Sequence, residues 1–530
     1  MNRPEVFDAV VVGSGVGGLA AASLLARVGG KRVLVLERHF KPGGFTHTFE
    51  RRRWRWDVGV HYVGGMGDGE PSRRLFDLAS GGALHWTRLP RLFERFVYPG
   101  LTLEVPDDEA GYRAALAEKF PGERPAIDRW FRALRAAAGW ANRHFLGLAL
   151  PRPAAALLAR PGRAFALRTT AEALDATVRE PLLKAVLASQ WGDYGLPPSQ
   201  SAFAVHALIA THYLRGAYYP SGGAGEIART FLHQVEAAGG ECRVNSEVRE
   251  IRVEEGRVRG VRVVAREGGR ASEVEIRAPV VISDAGVAAT YGRLLGNAVG
   301  PRAAEGTAAA GNSAVTLYLG LRESPAGMGF SGQNTWLYED ADHDRAFAAR
   351  GELLLGKARF AYLSFPSMKD PTARSHTAEV VAVTDDGGFS RWRDLPWKRR
   401  GEEYERLKAT VAGALLDLVE RHAPGFRDLV AYQELSTPLT VEHFTGHPRG
   451  RIYGVPATPE RFRDRRHGVR TPVKGLFLAG ADATSLGVVG AFMGGVLAAG
   501  LALGPAGVAR IMAEASRAAR PAPARAAHAA

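Results

Sequence analysis

Four glycines near the start of the chain have the spacing of a phosphate-binding turn. Gly13 allows a tight turn, Gly15 lets backbone amides approach a pyrophosphate, and Gly18 allows the next helix to pack closely on a strand. Gly17 is a further predicted cofactor-binding residue of this turn. Glu37 follows, and its carboxylate can accept hydrogen bonds from both hydroxyls of a ribose. These residues predict dinucleotide binding, and a glycine-rich turn without a ligand is the alternative interpretation.

Two strands and a helix are needed to hold these residues. Residues 8–12 are an apolar run typical of a buried strand, residues 19–27 have the alanine and leucine spacing of a helix packed on a sheet, and residues 33–36 predict the next strand. Phosphate favours a helix N-terminus because its first amides are unpaired and its dipole is positive there. The order strand, glycine turn, helix, strand and acid therefore predicts a Rossmann-type βαβ unit.

Two further turns indicate which dinucleotide is bound. A Pro-Gly-Gly turn follows soon after Glu37, and near the other end an apolar strand runs into a Gly-Asp turn. This pairing resembles the flavin amine oxidase and phytoene desaturase superfamily. The resemblance implies FAD as the cofactor. The residues that it places against FAD in these turns are Arg38, Gly43, Gly44, Gly480 and Asp482.

The resemblance implies two further segments of the chain that contact the cofactor. Small residues at 487–491 let a helix N-terminus approach the flavin ring, with Val488, Val489 and Ala491 as the predicted contacts. In mid-chain, alternating residues from 242 to 264 predict a β-meander after a helix at 226–238. In the superfamily, backbone at the position of Val248 contacts the adenine.

The predicted fold is α/β, with a discontinuous Rossmann-like FAD-binding domain and an inserted α+β substrate domain. The tail, rich in Ala, Arg and Pro, is predicted to be disordered. The predicted boundaries are 1–100, 215–300 and 435–510 for the FAD-binding domain, 100–215 and 300–435 for the substrate domain, and 517–530 for the tail.

Four motifs carry a closer resemblance. They are DVGVHYVGG at 57–65, GDYGLPP at 192–198, HYLRGAYYPSGG at 212–223 and TPLT at 437–440. They resemble the all-trans-retinol 13,14-reductase (retinol saturase) family and its carotenoid isomerase relatives. The resemblance implies a flavoenzyme that acts on the conjugated double-bond system of a polyene, by reduction or by desaturation, through hydride transfer with flavin N5.

A reductase of this kind needs a proton donor beside the flavin. Tyrosine and histidine suit this role because a free carboxylate would be electrostatically unfavourable there. The candidates are Tyr62, His61, Tyr453 and His443, with Tyr219 and Glu442 as secondary ones. Each also has an ordinary interpretation, since a tyrosine after a buried strand is usually a packed core ring.

Two apolar helices, predicted at 154–167 and 202–214, favour an apolar substrate, although either could be plain core. The first carries Arg163 and Arg168 and could also lie on an anionic membrane. Residues 1–7 lack a positively charged leader, which predicts a cytoplasmic protein with peripheral membrane contact as a hypothesis. The 27 uncharged residues between Asp482 and Arg510 are interpreted as a buried helix rather than a membrane span.

Composition excludes several classes of site. The single cysteine, Cys242, permits no intramolecular disulfide, Cys-ligated zinc site or dithiol redox centre, and no metal site is predicted. The net charge of +14 is scattered rather than gathered in a nucleic-acid module, so no nucleic-acid partner is predicted. No second glycine fingerprint follows a strand, so the electron donor or acceptor stays open.

Three alternatives remain beside the reductase or desaturase. A flavin-dependent cis-trans isomerase would cause no net redox change. A lipid-binding chaperone on the same fold would not need the complete fingerprint, and an amine oxidase would normally need an aromatic cage beside the flavin.

Overall fold

The protein is described by a computed structural model over residues 5–267, 270–298, 311–464 and 467–518. Its strands are β1 (Glu5–Val6), β2 (Ala9–Val12), β3 (Val33–Leu36), β4 (Thr48–Arg51), β5 (Trp54–Asp57), β6 (Val63–Gly64), β7 (Trp86–Arg88), β8 (Leu92–Tyr98), β9 (Leu101–Pro106), β10 (Ala217–Pro220), β11 (Glu241–Arg243), β12 (Ser246–Glu254), β13 (Arg257–Glu267), β14 (Arg270–Arg277), β15 (Val281–Ser283), β16 (Ser313–Leu321), β17 (Asn334–Tyr338), β18 (Phe360–Ser364), β19 (His376–Thr384), β20 (Val430–Ser436) and β21 (Leu476–Leu478).

The α-helices lie between these strands, with short 3-10 and π segments in several connections. They are α1 (Val16–Gly29), α2 (Pro71–Ser80), α3 (Glu109–Lys119), α4 (Arg124–Gly147), α5 (Arg152–Leu158), α6 (Arg163–Ala166), α7 (Thr170–Asp175), α8 (Pro181–Ala188), α9 (Phe203–His212), α10 (Gly225–Ala237), α11 (Val287–Ala289), α12 (His343–Ala348), α13 (Pro366–Lys369), α14 (Glu402–His422), α15 (Phe426–Leu429), α16 (Pro438–Thr445), α17 (Gly487–Ala502) and α18 (Gly507–Ala518).

A five-stranded parallel sheet forms the centre of the Rossmann-like part, in the order β11-β3-β2-β15-β21. Its central strands β2, β3 and β15 are fully buried, as expected for parallel strands covered on both faces. Helix α1 packs against α10 and α17 beside this sheet. The predicted α/β fold class is therefore confirmed, and the predicted first helix begins earlier, at Val16, because Gly15 already serves as its N-cap.

The predicted β-meander is present as β12, β13 and β14, which pair antiparallel. The short strand β1 joins its edge in parallel with β14. This four-stranded sheet shares one apolar core with α1 and the parallel sheet, and Val248 of β12 belongs to that core.

A seven-stranded sheet forms the second large unit, in the order β20-β16-β19-β18-β17-β8-β9. All its pairings are antiparallel except β17 with β8. Because side chains alternate across a strand, one face is aliphatic and packs on α14, whereas the other is aromatic. The aromatic face lies in the same apolar cluster as helices α4 and α9.

Two small sheets connect these units. Hairpin β4–β5 is held on β16 by Trp54 and Trp56, whose indole N–H groups donate to the carbonyls of Leu321 and Leu319 at 3.2 and 3.0 Å. Strand β10 lies between β6 and β7. The segment from Asp57 to Val63 is thereby fastened at both ends.

Two predictions about helices differ from the structure. The helix predicted at 154–167 is wrong, because α5 ends at Leu158 and α6 starts at Arg163. Pro161 and Gly162 lie between them, and Gly162 has a φ of +80° that ends helical geometry. The predicted helix at 202–214 is present as α9.

Strands β8 and β9 flank the predicted boundary at residue 100 and both belong to the seven-stranded sheet. Within the predicted tail, helix α18 extends to Ala518, and residues 519–530 lie outside the described residues. Over the described part of the chain, no helix has both the length and the apolarity to span a bilayer.

Candidate functional site

Glycine backbones from both ends of the chain meet at the N-terminus of α1. A Cβ on Gly17 would lie 2.5 Å from the Cα and N atoms of Gly480 and 2.8 Å from the carbonyl oxygen of Ala491. A Cβ on Gly44 would lie 3.0 Å from the Cα of Gly15. We call this contact of residues 13–18, 43–44 and 480 the glycine junction. Glycine backbone forms most of this junction, as a pyrophosphate at a helix N-terminus requires, and the carboxyl of Asp284 also lies against it.

Glu37 lies at the end of β3, where the dinucleotide prediction places an acid. Its buried carboxylate accepts hydrogen bonds from the backbone N of Ser14 at 3.0 Å, the Ser14 hydroxyl at 2.6 Å and the backbone N of His39 at 2.8 Å. Gly43 donates its N–H to the carbonyl and the hydroxyl oxygens of Ser14. The acid is therefore held against the glycine turn and could bind a ribose there.

Asp482 lies on the loop between β21 and α17. Its carboxylate accepts hydrogen bonds from the backbone N atoms of Val287 and Val455 at 2.9 and 2.8 Å. Val488 and Val489 are half-buried in the first turn of α17, close to Ala491 at the junction. Together these residues fit a dinucleotide cofactor that extends from Glu37 toward the start of α17.

Arg38 takes a different position from the other predicted cofactor residues. Its side chain is exposed, and its guanidinium lies against Gly446, directly after α16. The assignment of individual cofactor contacts, including Val248, stays a prediction.

Asp284 is a junction residue that the sequence analysis did not select. Its buried carboxyl lies beside Gly15, Gly18 and Gly480, and accepts from the amides of Gly18 and Gly15. Burial raises its pKa to about 7, with the negative charges of Glu37 and Asp482 acting in the same direction. One signal could have identified Asp284 from the sequence. Strands β2, β15 and β21 are parallel, so the residues that follow each strand meet at one edge of the sheet.

Tyr62 lies between two carboxyl groups. Its hydroxyl is 2.6 Å from Oε1 of Glu94 and 2.7 Å from Oδ2 of Asp193, and its ring stacks on that of Tyr213 with centroids 4.2 Å apart. Burial, Asp193 and Glu94 raise the pKa of Tyr62 well above its ordinary value. Tyr62 therefore keeps its proton, and its partners Glu94 and Asp193 were both missed by the sequence analysis.

His61, next to Tyr62, belongs to a second buried polar group. Its Nδ1 lies 3.2 Å from Oε2 of Glu379, and Lys369 donates to its carbonyl oxygen at 2.9 Å. Burial, together with the positive charge of Lys369, lowers the pKa of His61 to about 3, so the imidazole is neutral. Burial also lowers the pKa of Lys369 to about 7.

Strand register explains why these groups converge. Glu94 pairs with Asn334 across β8 and β17, and Ser364 pairs with Glu379 across β18 and β19. Lys369 bridges the two pairs by donating to the side-chain oxygens of Asn334 and Ser364. A polar row thus crosses the aromatic face of the seven-stranded sheet, beside the rings of residues 336 and 362.

Two primary candidates remain: Tyr453 lies near this polar cluster, and His443 lies outside it. Tyr453 donates to the carbonyl of Gly192 at 2.8 Å, one residue from Asp193. His443 is exposed on α16 and stacks on Trp397, with ring centroids 5.3 Å apart.

The two secondary candidates are engaged in other pairs. Tyr219 donates to the buried Asp57. Glu442 accepts from Arg393 at 3.1 Å. Tyr62, His61 and Tyr453 are therefore the candidates that the structure gathers around the aromatic face, and their catalytic roles stay predictions.

Comparison with known proteins identifies matching domains and relatives. A family model described as an NAD(P)-binding Rossmann-like domain matches residues 11–78, and one described as an FAD binding domain matches residues 109–321. The all-trans-retinol 13,14-reductase of Danio rerio is 34% identical over 93% of this chain and 85% of its own length. The chloroplastic prolycopene isomerase of Arabidopsis thaliana is 24% identical over 93% of this chain and 82% of its own.

Among solved structures, a putrescine oxidase variant superposes with a TM-score of 0.62 at 17% identity, covering 94% of this chain and 99% of the oxidase. This likeness concerns the fold alone. The fold and the matched domains define an FAD-dependent oxidoreductase. At the identity and coverage found for the zebrafish protein, the chain belongs to the all-trans-retinol 13,14-reductase family, as its motifs predicted.

The first testable consequence concerns the glycine junction. Gly17→Ala places a methyl group against the backbone of Gly480 and Ala491, which cannot move aside without separating α1 from α17. We expect at least a tenfold loss of FAD affinity, measured by titrating the apoprotein and following flavin fluorescence. Gly413→Ala in α14, where a Cβ meets open space, is the matched control and should leave affinity unchanged. Equal FAD affinity in both variants would contradict the proposed packing.

The second consequence is a pH dependence of FAD binding. Asp284 is neutral below its pKa of about 7 and negative above it, where it would repel a pyrophosphate at the same amides. FAD affinity should therefore fall as pH rises from 6 to about 8.5, and Asp284→Asn should flatten this dependence. Calorimetric titrations across that range test it. Asp107→Asn, a buried carboxyl paired with Arg88, should keep the wild-type profile.

Proposed function

We propose that the protein uses FAD to reduce a C=C bond of an apolar, retinoid-like polyene. A bound, reduced FAD supplies two electrons as hydride. The chain's own residues bind the polyene, exclude water and supply the accompanying proton. The reduction direction is favoured by the reductase relatives at 32–34% identity, whereas the isomerase relative is more distant.

One observation carries this proposal: the aromatic sheet face adjoins the start of α17. Leu486, the N-cap of α17, belongs to the same apolar cluster as Tyr62 and Trp336. A polyene on this face would lie against rings and aliphatic side chains, and burial at about 25 cal/mol per Å² would supply most of its affinity. The proton-donor candidates Tyr62 and Tyr453 lie at the same face and would be near such a ligand.

Product mass distinguishes the possible activities. Purified protein should be yellow, and after anaerobic reduction by dithionite it should convert all-trans-retinol into a product heavier by two hydrogens. Unchanged mass with altered double-bond geometry would indicate an isomerase instead. A colourless protein that takes up no flavin would indicate a lipid-binding role and contradict the proposal.

Access to a lipid-dissolved substrate forms a second part of the proposal. Leu146, Leu150 and Leu157 are 52%, 41% and 70% exposed around the end of α4 and the start of α5. Arg160 and Arg163 are exposed beside them. Apolar side chains next to arginines suit the surface of an anionic membrane. We call residues 146–163 the apolar-basic patch.

Vesicle sedimentation tests this patch. The intact protein should co-sediment with vesicles that contain phosphatidylglycerol, and less with pure phosphatidylcholine, because both the leucines and the arginines contribute. Replacing the three leucines by serine should lower the bound fraction several-fold. Leu355→Ser, at a 77% exposed leucine outside the patch, is the control. Absence of binding by the intact protein would refute membrane contact.

A further inference from the structure

We infer that the carboxyl of Asp193 is the proton source for the reduced double bond, with Tyr62 and Glu94 positioning it. This inference rests on the proposed reduction of a polyene. It assigns a chemical role to Glu94 and to Asp193 of the GDYGLPP motif, neither of which the sequence analysis selected as a candidate.

A count of the available hydrogens shows that the cluster of Tyr62, Glu94 and Asp193 holds one proton beyond that of the Tyr62 hydroxyl. The Tyr62 hydroxyl has one hydrogen but lies within 2.7 Å of both Glu94 and Asp193. It can donate to only one of them, so the other short contact needs a hydrogen from the carboxyl itself. Two ionised carboxylates against one hydroxyl would leave unscreened repulsion in a buried site.

The other hydrogen bonds indicate which carboxyl carries that proton. Oε1 of Glu94 also accepts from the indole N–H of Trp336 at 3.0 Å, and Oε2 accepts from the Gln190 amide at 2.7 Å. Three donors therefore surround Glu94, and donors of this kind stabilise an ionised carboxylate. Asp193 meets only the Tyr62 hydroxyl among its hydrogen bonds in the described chain. Glu94 is thus the anion and Asp193 the acid.

Electrostatics favours the same assignment. Burial raises the pKa of Asp193 well above its ordinary value, and the negative charge of Glu94 raises it further. Burial raises the pKa of Glu94 to about 7, against the hydrogen bonds from Tyr62, Trp336 and Gln190. Near neutral pH the pair therefore retains one proton, and it resides on Asp193.

The location connects this acid to the cofactor loop. Gly192 packs flat on the ring of Trp336, and its carbonyl accepts from Tyr453. The residue after Tyr453 is Gly454, whose backbone lies against the carboxylate of Asp482. Asp193 is half-buried, whereas Glu94 is fully buried, so Asp193 is the member of the pair that a ligand can reach.

The transfer balances in atoms and electrons. One carbon of the double bond gains a hydride, whose two electrons come from the reduced cofactor, and its neighbour gains the proton of Asp193. The π bond is replaced by two C–H bonds. The Asp193 carboxylate that remains is stabilised by the Tyr62 hydroxyl and regains a proton from solvent.

Stopped-flow measurement under anaerobic conditions tests this role. Reduced, FAD-loaded protein is mixed with all-trans-retinol, and reoxidation of the flavin is followed by its visible absorbance. Asp193→Asn should slow reoxidation by about 100-fold or more, the usual contribution of a positioned acid, with FAD content unchanged. Asp107→Asn is the matched control, the same substitution at a buried carboxyl that pairs with Arg88, and should react at the wild-type rate.

The pH profile tests the positioning role of Glu94. The wild-type rate should fall as pH rises above the pKa of Asp193, because only the protonated carboxyl donates. Glu94→Gln removes the negative charge that raises this pKa, so the fall should move to lower pH. A merely structural role for Glu94 would change the rate without moving the profile.

Infrared spectroscopy gives a readout that does not depend on turnover. The difference spectrum of wild type minus Asp193→Asn, at neutral pH, should contain the carbonyl stretch of one protonated carboxylic acid. Absence of that band, or an Asp193→Asn rate equal to that of Asp107→Asn, would overturn the inference alone. If reduced wild-type protein reacts with no polyene, the proposed function fails and this inference falls with it.

Discussion

Backbone contact between the two ends of the chain is the constraint on which the rest of the structure depends. Gly17 of α1 touches Gly480. The carbonyl oxygen of Gly17 also leaves no room for a side chain at Gly495 of α17. Any side chain here would push α1 and α17 apart. This contact completes the parallel sheet's helical layer and gathers glycine amides in one place, where Asp284 accepts from those of Gly15 and Gly18. One packing requirement thus produces both the fold and a place for a diphosphate.

A second unit provides chemistry that the glycine junction lacks. The seven-stranded sheet presents aromatic rings on one face, and a buried row of polar groups crosses the same face. Hairpin β4–β5 is fastened to β16 by its tryptophans, which brings the His61–Tyr62 segment over this face. Apolar binding and proton-bearing carboxyls are thereby placed side by side.

The sequence predicted the parts of the structure that local pattern determines. The βαβ unit, the meander and Glu37 could all be inferred because their residues are close in the chain. Glu94 and Trp336 meet across 242 positions through the pairing of β8 with β17, and Asp193 and Tyr62 meet across 131 through packing between segments, and no local pattern reveals either contact. Asp284 was missed although parallel strands bring the residues that follow them to one sheet edge. The break at Pro161 and Gly162, a local turn signal, was overlooked inside an apolar stretch.

The most direct test of this account is an experimentally determined structure of the FAD-bound protein. The account predicts the pyrophosphate on the amides of the glycine junction, the ribose at Glu37, and the flavin ring between the start of α17 and the aromatic sheet face. A pyrophosphate bound elsewhere, or a ring separated from Tyr62 and Asp193 by the body of the protein, would contradict it.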